Sequence, residues 1–277
     1  MKENGLEKIH NINFMILNKF KSVCDEYNIT YYLAAGTLLG AVREKDFIAW
    51  DDDIDIEMPR DSFEVLRGLP DEVWGEDFRL LKYNEVGMDE YFYDFVPRLL
   101  YTGEKIPFYG FEQMGDCCDD QYKNYARLDI FVLDNTYPGI RHKLIVGLQS
   151  YVYGLALGHR PIMDYSDYTG LSKIAVIIFS NMGKYISLKR TYMLYEKMCI
   201  LVRKNHGRLY VSNGEPFNLI FHARDKRFYR NTVCMPIRGV MFNVPEGYDG
   251  ILTLLYGDYM TPPPLDKRIP IHRIVSD

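Results

Sequence analysis

"WDDDIDIEM", Trp50 to Met58, is the stretch on which the reading of this chain turns. From Asp53 onward acids and apolar residues alternate, the two-residue period of a β-strand. Four carboxylates (Asp51, Asp52, Asp53 and Asp55) fall within five residues. In an extended chain Asp51, Asp53, Asp55 and Glu57 share one face, while Ile54 and Ile56 take the other and Asp52 turns to their side. Like charges this close repel, so they either lie on a solvated edge or gather around something positive. Same-face carboxylates suit a hard divalent cation, and Mg2+ commonly takes one or two of them together with substrate phosphates. In that reading Asp53 and Asp55 are the metal pair, with Asp51 beside them.

Spacing tests two rival metal patterns. An EF-hand loop starting at Asp51 needs Gly at its sixth position and Glu at its twelfth. Ile56 and Ser62 stand there, and no helix pattern ends just before, so that pattern fails. A sugar-nucleotide glycosyltransferase also uses a D-x-D pair, but only one helix and one strand precede this one. It remains the weaker alternative.

Outward from the acids, residues 7–27 place Ile9, Ile12, Ile16, Phe20, Val23, Cys24 and Tyr27 at helical steps, which predicts an amphipathic helix. "ITYYLAA" (29–35) has strand composition and runs into "GTLLGAVREKD", where Leu38, Leu39 and Val42 recur at helical spacing. Gly36 and Thr37 begin that helix. Its free N–H groups and dipole offer an anion site, with a plain N-cap as the simpler reading. Arg43, two turns on, adds a candidate phosphate contact. "FVPRLLY" (95–101) and "ARLDIFVLD" (126–134) predict further strands. Asp129, flanked by Leu128 and Ile130, reads as a lone acid in an apolar strand. Such an acid is costly unless paired or metal-bound, so it is the candidate third ligand and proton acceptor. Asp134 reads as a turn cap. Residues 138–205 look mainly helical, an insertion or subdomain between core segments 1–137 and 206–277. The C-terminal part predicts a helix at about 247–256 and a Pro-rich tail. The fold class is α+β, a mixed sheet with helices on one side.

Composition narrows the function. The chain has 277 residues and a formal charge of −5, which argues against a general nucleic-acid binder. The polar N-terminus lacks a signal-peptide core, and five cysteines without C-x-x-C spacing read as reduced thiols. A cytoplasmic location follows as an expectation. The two most apolar stretches, around 143–158 and 171–186, are too short and too interrupted to span a bilayer. Buried helices are the ordinary reading of both. Lys143, Lys173 and Lys184 flank them and leave a peripheral membrane contact open.

The segment "GTLLGAVREKDFIAWDDDIDIEMPRDSF" (36–63) closely resembles the signature of the LicD family, which includes fukutin and fukutin-related protein. The resemblance extends upstream through "IHNINFMILNKFKSVCDEYNITYYLAAGTLLG" and downstream through "ARLDIFVLD" to "VPEGYDGILTLLYGDYMTPPPLDKR". It leaves the helical middle as the variable part. It implies a nucleotidyltransferase-like fold and transfer of a phospho-alcohol, typically phosphocholine, from CDP-choline or another CDP-alcohol to a hydroxyl of a glycan or lipid-linked glycan. The acceptor would be a teichoic-acid, capsule or lipopolysaccharide precursor handled at the inner face of the membrane. Gly36 and Thr37 would meet the donor phosphates, Asp53 and Asp55 would hold Mg2+ (or Mn2+), and Asp129 would be the third acid. Glu44, Asp46 and Ala49 depart from the His, Gly and Pro usual in the family, and none of them is one of those acids.

In "YGDYM" Asp258 is a candidate substrate contact or simply part of a turn. Arg268 and His272 are candidates for binding phosphate. "EYFYDF" (90–95) reads as a core strand edge or as an aromatic box for a quaternary ammonium. Cys117-Cys118 lack a nearby His and read as a structural thiol pair rather than a zinc site. Two further functions share the same acids: nucleotidyl transfer, and ligand binding by a non-catalytic relative.

Overall fold

The computed structural model describes residues 5–82, 95–106, 125–160, 163–166, 168–202, 207–212 and 223–270. The aromatic run ahead of Phe95, Cys117-Cys118 and His272 lie outside the described residues.

Helix α1 (Gly5–Glu26) follows its apolar spacing, burying Ile9, Ile12, Ile16, Phe20 and Val23. The Phe20 ring meets the edge of Tyr31 at 5.3 Å and stacks on Trp74 at 6.3 Å. Strand β1 shrinks to Tyr32–Leu33, although "ITYYLAA" has strand composition throughout. Ala35 takes φ +43, and the chain turns directly into α2 (Ala35–Arg43).

Strand β2 (Ile54–Pro59) carries the alternation, with Ile54, Ile56 and Met58 buried on one face. It is antiparallel to β1, and α3 (Arg60–Arg67) follows it directly. A hairpin of β3 (Phe78–Leu81) and β4 (Arg98–Tyr101) joins the long β5 (Arg127–Thr136) in antiparallel register. Strands β2 and β5 run parallel, placing Asp55 opposite Asp129. On the far half of β5 lie β6 (Leu209–Ser212) and then β7 (Arg224–Asp225), both antiparallel. One parallel pair in an otherwise antiparallel sheet makes this the mixed sheet of an α+β protein.

Between β5 and β6 come α4 (Ile140–Ala156), α5 (Gly170–Gly183) and α6 (Leu188–Cys199). They enclose a second apolar cluster around Val152, Tyr153, Val176, Tyr192 and Tyr195. Phe95, the described end of the aromatic run, is buried there, 4.7 Å from the Tyr195 ring. A separate hairpin of β8 (Thr232–Ile237) and β9 (Val240–Pro245) precedes α7 (Tyr248–Tyr256). Among the described residues no helix is long and apolar enough to cross a membrane.

Asp134 corrects the sequence reading. It caps no turn, because β5 continues past it to Thr136. It is buried, and its carboxylate accepts from Arg60 Nε (2.8 Å) and Nη2 (2.7 Å). An apolar run ending in an acid looks like a strand end until a guanidinium is supplied from elsewhere, here from α3.

Candidate functional site

Two glycines of "GTLLG" let the acidic segment lie across α2. A Cβ on Gly36 would sit 2.3 Å from Asp51 Oδ2, and one on Gly40 would sit 2.6 Å from the Asp46 carbonyl. Thr37 is buried, and its hydroxyl accepts the Asp55 backbone N–H at 2.9 Å. The Ala34 N–H also donates to the Asp55 carbonyl at 3.0 Å. Thr37 therefore fixes β2 against α2 through its side chain, and only Gly36 of the pair faces the cleft. On the other side α1 holds the main chain. His10 Nε2 lies 2.7 Å from the Asp51 carbonyl and must donate to it, and Asn13 Nδ2 donates to the Asp52 carbonyl at 3.3 Å.

The result is a cavity of about 490 Å³, lined by Asp51, Asp53 and Asp55, by Gly36, Leu39 and Arg43 of α2, and by Trp50. Tyr256, Asp258 and Tyr259 close it from the end of α7 and the segment beyond. The three odd-numbered acids thus meet in one cleft, Asp55 from the strand and Asp51 and Asp53 from the segment leading into it. Glu57, further along the same face, is instead buried in an ion pair with Arg224 and accepts the Tyr229 hydroxyl at 2.9 Å.

Electrostatics in the cleft are adverse. Burial, then the Asp53 charge and a hydrogen bond shared with Asp53, then Asp52, push the Asp51 carboxyl up to about 8. Burial and the charges of Asp53, Asp129 and Asp51 raise Asp55 well above the usual carboxylate range, with Arg127 opposing. Oxygens of Asp51, Asp52 and Asp53 all lie within 4.8 Å of one another. Asp52 therefore joins this cluster although strand alternation assigns it to the opposite face. The strand begins only at Ile54, and the chain ahead of it is not bound by the two-residue period. Crowded hard oxygen donors that resist ionisation are a donor set suited to a divalent cation.

Arg43 supplies the opposite charge. Its side chain is only 7 % exposed; Nε donates to Glu44 at 2.7 Å and Nη1 to the Tyr259 carbonyl at 3.0 Å. Its Nη2 is buried and has no hydrogen-bond partner among the described residues. Arg43 lines the cavity, and a buried guanidinium nitrogen that lacks a partner beside it suits an anion. The Arg43 guanidinium also lies 5.9 Å from the Trp50 ring centre.

The remaining candidates are spread around this centre. Asp129, in register with Asp55, is half-buried and accompanied: Arg98 Nε donates to it at 3.0 Å, and Arg127 Nε lies 3.6 Å away. It is not the isolated acid that its apolar flanks suggest, and it is not among the cavity-lining residues. Asp258 is exposed on the cavity wall and accepts the Thr261 hydroxyl at 2.7 Å. Arg268 stands outside the wall, its guanidinium 5.1 Å from Trp50 and its Nε bonded to the Pro263 carbonyl at 2.8 Å.

Three contributors escaped the sequence reading. His10 and Asn13 were legible as polar residues inside the apolar stripe of α1. Tyr259 was not, because it acts on Arg43 through its backbone.

The nucleotidyltransferase-domain model described as LicD/FKTN/FKRP matches residues 28–97, which span α2 and the acid cluster. Across 282 aligned positions the chain is 28 % identical to the lipopolysaccharide cholinephosphotransferase LicD of Haemophilus influenzae. The alignment covers 98 % of this chain and 97 % of that relative.

Proposed function

We propose that this chain, which belongs to the LicD family, is a phosphotransferase enzyme. It moves a phospho-alcohol, phosphocholine first among them, from a CDP-linked donor to a hydroxyl of a cell-surface glycan precursor such as lipopolysaccharide. The core that carries the site is read as nucleotidyltransferase-like. One observation supports this most: Arg43, whose buried Nη2 has no partner among the described residues, lines the same cavity as three carboxylates. A site with a seat for an anion beside a seat for a cation suits a phosphate bound with a metal.

Asp53 and Asp55, with Asp51 beside them, are the residues that would hold Mg2+, with Mn2+ as substitute. When bound, the cation would supply charge neutralisation at the phosphoryl oxygens. Arg43 pairs with a donor phosphate through Nη2 while the Tyr259 carbonyl and Glu44 fix its plane. Gly36 keeps the start of α2 close to the acids, and Thr37 sets the height of Asp55. Asp129, oriented by Arg98 and Arg127, adds the third acid beside Asp55 and is the candidate to take the proton of the acceptor hydroxyl. Tyr256 and Asp258 stand where the alcohol of the donor or the acceptor would enter.

The test is CMP release from CDP-choline with Mg2+ and a lipopolysaccharide acceptor. Wild type should release CMP and label the acceptor with phosphocholine, and Asp53→Asn should do neither. An acceptor carrying the nucleoside monophosphate would establish nucleotidyl transfer instead. No turnover, with Asp53→Asn binding the donor as wild type does, would identify a binding protein.

A further inference from the structure

The layer formed by α4 and α5 leaves a large apolar surface open to solvent. Helix α5 buries Val176, Ser180 and Gly183 and exposes Leu171 (85 %), Ile174, Ile177, Ile178 and Met182. Helix α4 buries Ile145, Val146, Val152, Tyr153, Leu155 and Ala156 together with His142, Gln149 and Ser150, while Ile140 (69 %), Leu144 (63 %), Leu148 and Tyr151 lie open. In each helix the open apolar residues recur every three to four positions, so each presents a continuous stripe. Tyr185, just past α5, is 92 % exposed.

Where α5 meets α4 and the turn that follows it, glycines allow close approach beside the Tyr151 and Phe179 rings, which are 4.8 Å apart. A Cβ on Gly183 would sit 1.8 Å from the Leu155 carbonyl, and one on Gly158 would sit 2.1 Å from the Ser180 carbonyl. Small residues within the contact and large aliphatic ones outside it is how helices associate where the solvent is lipid. In water an apolar surface of this kind marks an interaction site.

Charge selects the partner. Arg141, Lys143 and Lys173 are exposed on these helices, Lys184 follows α5 directly, and neither helix contains Asp or Glu. The acids of the segment, Asp164 and Asp167, are confined to the connection, and the whole chain carries −5. A second copy of this chain meeting the face across a two-fold axis would set these basic residues against themselves.

We propose that the exposed face of α4 and α5 docks on an anionic lipid bilayer. The aliphatic stripes enter the interface, and Arg141, Lys143, Lys173 and Lys184 meet the head-group phosphates. The contact lies on the surface, since no described helix spans a bilayer. It stands independently of the phosphotransfer reading, because binding to vesicles requires no donor.

Co-sedimentation of the full chain with vesicles of three parts phosphatidylethanolamine to one part phosphatidylglycerol tests it. The chain should sediment with these vesicles, less at high salt, and less with pure phosphatidylcholine. Leu144→Ser with Ile174→Ser should lower the partition coefficient by about tenfold. Lys143→Glu with Lys173→Glu should do so by about tenfold or more. Both pairs change exposed positions and should leave the melting temperature near that of wild type. Absence of vesicle binding at low salt would overturn the proposal. So would binding unchanged in both pairs, or a dimer by light scattering that Leu144→Ser with Ile174→Ser dissociates.

Discussion

The acid cleft and the α4–α5 face break the same rule in opposite directions. At the cleft, carboxylates are pressed together and partly buried, so Asp51 and Asp55 are pushed toward their neutral forms. On the helical face, aliphatic side chains stand in the open while His142, Gln149, Ser150 and Ser180 are taken inside. The core of the sheet and α1 keeps the rule, with Ile9, Ile16, Leu33, Ile54, Ile56 and Val132 all withdrawn from water. In the readings proposed above each departure answers to a partner: a small hard cation with a phosphate for the first, an extended apolar surface with anionic groups for the second.

The largest effect is expected outside both regions, where α3, β5 and α6 meet. Arg60 grips Asp134 in β5 and lies 3.6 Å from Glu196 of α6. Arg60→Ala strands a buried carboxylate and should cost about 3–5 kcal/mol, read as a lower urea midpoint. The transfer rate per folded molecule should stay near that of wild type. If stability is unchanged, α3 is not held on β5 by this pair.

Next come the acids themselves. Asp53→Asn or Asp55→Asn should lower transfer by at least about a hundredfold, followed by CMP release. The melting temperature without divalent cation should hold or rise, because a repelling charge has gone. A marked loss of metal-free stability would show that these carboxylates serve the fold instead. Gly36→Ala drives a Cβ into the Asp51 carboxylate and should lower transfer by about tenfold, with weakened Mg2+ affinity by titration.

A smaller effect is expected with pH. The unfolded chain releases the Asp51 proton near the ordinary value of 3.8 and the folded chain near about 8. Between these values the folded state binds more protons, so metal-free stability falls as pH rises through that window. Saturating Mg2+ should flatten the slope of melting temperature against pH; an equal slope with and without it would separate the cation from these acids. Smallest of all, Leu148→Ser on the helical face should change stability by no more than about 0.5 kcal/mol. A larger loss in a thermal melt would mean that the stripe is packed within the protein.

The acid strand, α1 and α7 were legible in sequence because each depends on a local period. Burying Ile54 and Ile56 on one face of β2 turns Asp55 to the cleft, while Asp51 and Asp53 reach it from the segment ahead, held by α1 and α2. Strands β3, β6 and β7 and the β8–β9 hairpin were not anticipated. They are short, and they exist through partners distant in sequence, as β6 does through β5. Asp129 was picked out by its apolar flanks, yet its arginines come from β4 and from its own strand and could not be weighed in advance. Periodicity also failed to give the polarity of α4 and α5. A repeat of apolar residues marks a face without saying whether protein or another medium covers it.

The bond from Arg43 Nη1 to the carbonyl of Tyr259 has one more consequence. Every residue type offers that oxygen, so substitutions at position 259 leave the acceptor in place as long as the chain keeps its path. The Tyr259 hydroxyl secures that path separately, through its 2.6 Å bond to Asp249. The arginine's aim therefore depends on the course of the chain at 259, which the bond between Tyr259 and Asp249 holds.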